Sequence, residues 1–161
     1  MLAAGLLVTC AASALAPSAS AQEAKLGKQI WLSKVNCRDC HGWGGHGVGD
    51  NPQAPTGANL RKTQLTADQI AEVIRCGRPG TEMPYFDRFS YTDDRCYGMT
   101  AVQIGGQIPA PGIASLIKRE VDGLVALITS DFVGKGAPTF EECREFWGPD
   151  GTLCDRYPKT K

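Results

Sequence analysis

The sequence predicts an all-α domain, three to five short helices separated by long Gly/Pro loops. Three features lead there. Segments 24–35, 65–75 and 116–133 carry apolar residues at helical spacing. No segment alternates apolar and polar residues strongly enough to read as a strand. The 19 Gly and 10 Pro of the 161-residue chain gather in stretches such as 41–60 and 105–112, which local rules assign to loop. Loops of this length contribute little core, so a bulky apolar group at the centre would complete the fold.

From the N-terminus, residues 1–21 contain no charged side chain and end in Ala19-Ser20-Ala21, an A-x-A cleavage pattern before Gln22. They read as an export signal peptide whose missing basic n-region points to a start codon placed too far downstream. The rival reading, an uncleaved anchor, is weakened by Thr9, Cys10, Ser13 and Pro17, which break the apolar run. Cys10 as a lipidation site stays open, although Thr9 is a poor residue before one. Segment 24–35 sets Ile30 and Trp31 beside Gly27 in helical projection, so one face can approach a neighbour closely, and it should run straight into Cys37. Segment 65–75 starts at a capping box, Thr66 with Gln69, beside a Leu65–Ile70 staple, and stops at Cys76-Gly77. The longest helix, 116–133, places Ile117, Val121, Leu124, Val125, Ile128 and Phe132 on one stripe and ends at Gly134. The tail from 135 to 161 shows little periodicity.

Lys plus Arg equals Asp plus Glu, 17 of each, so no basic field suggests nucleic acid or an anionic membrane. Lys25, Lys28, Lys34, Arg61 and Lys62 read as solvated charges. With 42% hydrophobic and 21% charged residues, the chain fits one modest core.

Chemistry concentrates in Cys37-Arg38-Asp39-Cys40-His41. C-x-x-C-H is the attachment pattern of a c-type haem. Two cysteines on one helical turn reach both vinyl groups at one porphyrin edge, and His41, the next residue, offers its imidazole to the iron. A structural zinc site would want a second paired cluster of ligands, and no second C-x-x-C or H-x-x-x-H exists. A redox dithiol belongs beside a strand–helix unit, which is also absent. The sixth iron ligand could be Met83, Met99 or His46, or the site could stay open. His46 is too close in sequence to His41 to cross to the other ring face. Met83 is preferred because it stands in an irregular loop with Pro84 fixing the chain behind it, and Met99 reads as surface or gap-filling.

With these residues placed, the chain resembles the class I monohaem cytochromes c. The matching parts are Gly27 and Trp31, the motif 37–42, Pro55 and Leu60, the helix ending Ile74-Arg75-Cys76-Gly77, Met83-Pro84 and the last amphipathic helix. The resemblance implies a cytochrome c fold wrapped around one covalent haem c, held by Cys37 and Cys40 and ligated by His41 and Met83. It further implies that Pro55 packs on the His41 side, that Leu60 packs on the ring, and that the first and last helices cross, Gly27 and Trp31 meeting Leu124, Val125 and Ile128. Domain limits follow as signal peptide 1–21, cytochrome domain 22–134 and C-terminal extension 135–161. The insert 85–115 and the extension depart from a minimal carrier. Cys76 and Cys96 bracket the Met83 loop and Cys143 and Cys154 the tail, so local pairing is chosen among three connectivities.

The implied function is periplasmic one-electron transport without substrate chemistry, using redox protein partners: a dehydrogenase as donor, an oxidase or another cytochrome as acceptor. A dedicated subunit or acceptor of a periplasmic dehydrogenase, such as a quinoprotein, is the alternative. A haem peroxidase or gas-binding protein with an open sixth site is a third reading. No nucleic acid and no transmembrane span of the mature chain are expected.

Overall fold

A computed structural model describes residues 18–149 and 151–159. Most of the expected signal peptide, Cys10 included, lies outside the described residues. Those described form helices α1 (Ala19–Gln29), α2 (Arg38–His41), α3 (Ala67–Cys76), α4 (Ala101–Ile104), α5 (Lys118–Leu127) and α6 (Phe140–Trp147), with no strand among them.

The fold turns on the crossing of α1 and α5, which make the most extensive contact between elements. A Cβ at Gly27 would lie 1.9 Å from the Gly123 carbonyl oxygen, so the two backbones touch and only glycine fits. Both helices continue as single π-helical turns, Ile30–Lys34 and Ile128–Phe132. These turns deliver Trp31 and Phe132 to the core, with ring centroids 5.1 Å apart. Ile30, Ile70, Ile74, Val121, Leu124, Leu127 and Ile128 fill the space around them. The α-helical part of the last helix is therefore shorter than the apolar stripe 116–133 suggested, because its end widens to seat Phe132.

Helix α3 begins as expected. The Thr66 hydroxyl accepts from the Gln69 N–H at 3.3 Å, and the Gln69 side-chain oxygen accepts from the Thr66 N–H at 2.9 Å. The approach helix, in contrast, does not run into Cys37. It stops at Val35, and Asn36 adopts a left-handed φ of 49°, which Asn tolerates better than most residues. The chain thus enters the α2 turn on a new axis.

The tail is also more ordered than its weak periodicity suggested. Thr139 and Glu142 form a capping box for α6, the Glu142 N–H donating to the Thr139 hydroxyl at 3.2 Å. The Sγ atoms of Cys143 and Cys154 lie 2.08 Å apart, and this unit packs on Trp43 together with Phe140, Phe146 and Tyr157. Arg61 anchors it. Far from being a solvated charge, Arg61 is only 4% exposed, donates to both Glu142 carboxylate oxygens at 2.9 and 2.8 Å and reaches the Gly44 and Gly136 carbonyls. Lys28 is half-buried as well, donating to the Phe146 carbonyl with its ammonium over the Phe146 ring.

The insert forms a third cluster around Cys76 and Cys96, whose Sγ atoms are 2.07 Å apart. It caps the end of α3. Tyr91 donates its hydroxyl to the Cys76 carbonyl at 2.6 Å, Tyr97 donates to the Gly77 carbonyl, and Ser90 donates to Arg75 at 2.8 Å. Carbonyls that a helix end leaves without partners are thereby satisfied.

Candidate functional site

The site grows from the α2 turn. The His41 N–H donates to the Cys37 carbonyl at 2.9 Å, so Cys37, Cys40 and His41 share one turn. Gly42, with φ of 76°, then breaks the helix and sends the chain into the glycine loop. That loop returns beneath the histidine. The Gly57 N–H donates to the Cys40 carbonyl at 2.8 Å, and a Cβ on Gly57 would approach His41 Nδ1 to 2.7 Å.

His41 is 8% exposed and its Nδ1 lies 2.8 Å from the Ala58 carbonyl oxygen. A carbonyl only accepts, so Nδ1 carries the proton and the Nε2 lone pair is left free. Burial lowers the His41 pKa, with the Ala58 bond opposing the shift, and the ring is neutral as metal ligation requires. Trp31 flanks it at 5.9 Å between centroids.

Cys37 and Cys40 are the free cysteines among the described residues. Desolvation pushes the Cys37 thiol up to about 12 and also raises Cys40, where Asp39 and Glu82 add to the effect. Such thiols are protonated and poor nucleophiles toward a disulfide, which speaks against a redox dithiol. No group of three or more His, Cys, Asp or Glu side chains among the described residues is arranged to hold a metal ion. His46 packs between Trp43 and Tyr157. Two unpaired thiols and a neutral imidazole with a free Nε2 are the donor set a c-type haem needs, so the residues present fit that group.

Met83 is half-buried against the same central core that Cys37 and Leu60 border. Its carbonyl accepts from the Arg78 N–H at 3.1 Å, its N–H donates to the Thr81 hydroxyl at 3.2 Å, and Gly77 (φ 64°) backs onto its carbonyl. Glu82, beside it, is near enough to Cys40 to raise that thiol. Met99 is 36% exposed. Pro55 is exposed, and from this loop it is Gly57 and the Ala58 carbonyl, two and three residues further on, that lie against His41. The Gly57 and Ala58 contacts do not stand out in the sequence, because a backbone carbonyl and a small residue carry no side-chain signal.

A family model described as cytochrome c oxidase, cbb3-type, subunit III matches residues 22–101, a span that begins in α1, contains Cys37, Cys40, His41 and Met83, and ends at the first residue of α4. No curated protein and no solved structure gives a match.

Proposed function

On the premise that the chain belongs to the monohaem c-type cytochromes, we propose that it is a periplasmic one-electron carrier with His41 and Met83 as axial ligands. The family implies one covalently bound haem c, which Cys37 and Cys40 would tether. When bound, that group accepts one electron at its iron and releases it again.

The chain's own part is to hold the surroundings still. The observation that carries the reading is the 2.8 Å bond from His41 Nδ1 to Ala58, which orients a buried neutral imidazole and leaves only Nε2 available. Met83 supports six-coordination because its backbone is fixed from both sides and its side chain borders the core shared with Cys37. Were His41 and Met83 both to ligate, neither position would be open to a substrate, and the chain would serve as a carrier rather than as an enzyme. Periplasmic placement rests on segment 1–21 and on the four cysteines drawn into pairs. No helix among the described residues is long and apolar enough to cross a membrane. The partners are a periplasmic dehydrogenase as donor and an oxidase or another cytochrome as acceptor.

One observation favours the alternative of a bound subunit or dedicated acceptor of a periplasmic dehydrogenase. The insert carries Val102 at 91% and Ile113 at 75% exposure, apolar surface suited to a lasting partner.

The test is absorption spectroscopy of the protein exported from cells able to mature c-type haem, wild type against Met83→Ala. A ferric wild type with the weak long-wavelength band of thioether ligation, lost in the variant, upholds His/Met ligation. A high-spin wild type that binds carbon monoxide readily overturns it in favour of a peroxidase or gas-binding site, and absence of visible absorption refutes the haem.

A further inference from the structure

A cavity of about 550 Å³ lies between the loop after the haem motif and the C-terminal extension, lined by Arg38, His46, Asp50, Trp147, Arg156 and Tyr157 among others. None of Cys37, Cys40, His41 and Met83 lines it, so it is separate from the site above.

Its walls hold more positive charge and more donors than they satisfy. Two guanidinium groups share one carboxylate. Arg38 Nη1 is 4.0 Å from Asp50 Oδ2, the outer limit of an ion pair. Arg156 makes no ion pair among the described residues and lies 5.4 Å from the Tyr157 ring centroid. Arg38 Nε, His46 Nδ1 and Trp147 Nε1 are buried without a hydrogen-bond partner. Of these, the arginine and indole nitrogens can only donate. They belong to neighbouring side chains, the Arg38 guanidinium lying 5.6 Å from the Trp147 ring centroid. The Tyr157 hydroxyl accepts from Trp43 Nε1 at 2.7 Å, which leaves its own proton to donate. Unpaired buried donors are costly, and what the walls lack is a second acceptor with negative charge beside Asp50.

We propose that this cavity binds a small oxyanion, a phosphate or a carboxylate, bridged between Arg38 and Arg156, with the Trp147 and Tyr157 side chains closing on it as further donors. Asp50 opposes a bare anion but gives the O–H of a protonated phosphate an acceptor, so phosphate is the tighter of the two. Because helix α2 and the extension each supply one arginine, the anion also ties them together.

The experiment is calorimetric titration of the full haem-loaded protein with inorganic phosphate and, separately, acetate, at ionic strength held constant with chloride. Saturable one-to-one phosphate binding is expected, weakened at least tenfold in Arg156→Ala and severalfold in Trp147→Phe, which keeps an aromatic ring and removes the N–H. Acetate binding with the same dependence on Arg156 upholds the site and names a carboxylate as its source. Failure of both anions to saturate the folded wild type overturns the proposal, as does equal affinity in a folded Arg156→Ala. A changed haem spectrum in Arg156→Ala in chloride buffer free of phosphate and carboxylate would place a haem propionate in the cavity and overturn it too.

Discussion

At the scale of single residues, the protein separates its two histidines by their partners. His41 has a carbonyl for Nδ1 and a free Nε2. His46 has aromatic neighbours, a buried Nδ1 with no partner, and a pKa lowered first by burial and then by Arg61 and Arg156. The folded chain therefore keeps His46 neutral where the unfolded chain protonates it. Stability linked to His46 is complete above its ordinary value of 6.5 and declines as pH falls below it. Denaturant midpoints measured from about pH 7 to pH 5 should drop in the wild type and drop less in His46→Phe. Parallel curves for the two proteins would refute a buried neutral His46.

Among the elements, two contacts govern how the site is held. The first is the backbone approach of α1 to α5, where a Cβ on Gly27 would intrude to 1.9 Å from Gly123. Neither partner atom is the end of a flexible side chain, so the helices must move apart. Gly27→Ala should cost about 3 kcal/mol or more, at the upper end for overpacking, read as a lowered denaturant midpoint. An unchanged midpoint would mean that the crossing is looser than described. The second contact is the insert on the end of α3, where Cys76–Cys96, Tyr91 and Tyr97 brace the chain just before Met83. Changing Cys76 and Cys96 together to Ser should remove about 3 kcal/mol of stability, given the sequence separation of 20 residues. If Met83 ligates the haem iron as proposed, the double variant should also lower the pH at which the thioether band of the ferric protein disappears, a shift that plain loss of stability at neutral pH would not by itself produce.

Over the whole molecule, charge is balanced and the extension is part of the body. Arg61, buried at 4% exposure, links the extension through Glu142 to the loop that also carries the Ala58 carbonyl. Glu142→Ala leaves that guanidinium buried beside carbonyls alone. Because Glu142 itself is 34% exposed, water screens part of the loss, and a destabilisation of about 1–3 kcal/mol is expected. Faster amide exchange across 140–157 than in the wild type would accompany it. Exchange unchanged in that segment would show that the aromatic packing on Trp43 holds the extension without the ion pair.

The all-α class, the α3 capping box and the single turn that gathers Cys37, Cys40 and His41 were legible in the sequence because each depends on residues within one or two turns of one another. The pairing of Cys76 with Cys96 and of Cys143 with Cys154 was legible for the same reason, each pair closing a short loop. The α6 start was missed, because weak apolar periodicity in the tail hid the local capping signal of Thr139 and Glu142. What only the tertiary structure decided is contact across the chain: Ala58 and Gly57 against His41, Arg61 against Glu142, and Gly123 against Gly27. Those contacts use backbone carbonyls, missing side chains and a charge whose burial depends on segments some eighty residues away. Local sequence reports propensity and spacing, whereas burial and hydrogen-bond partnership belong to the packed chain.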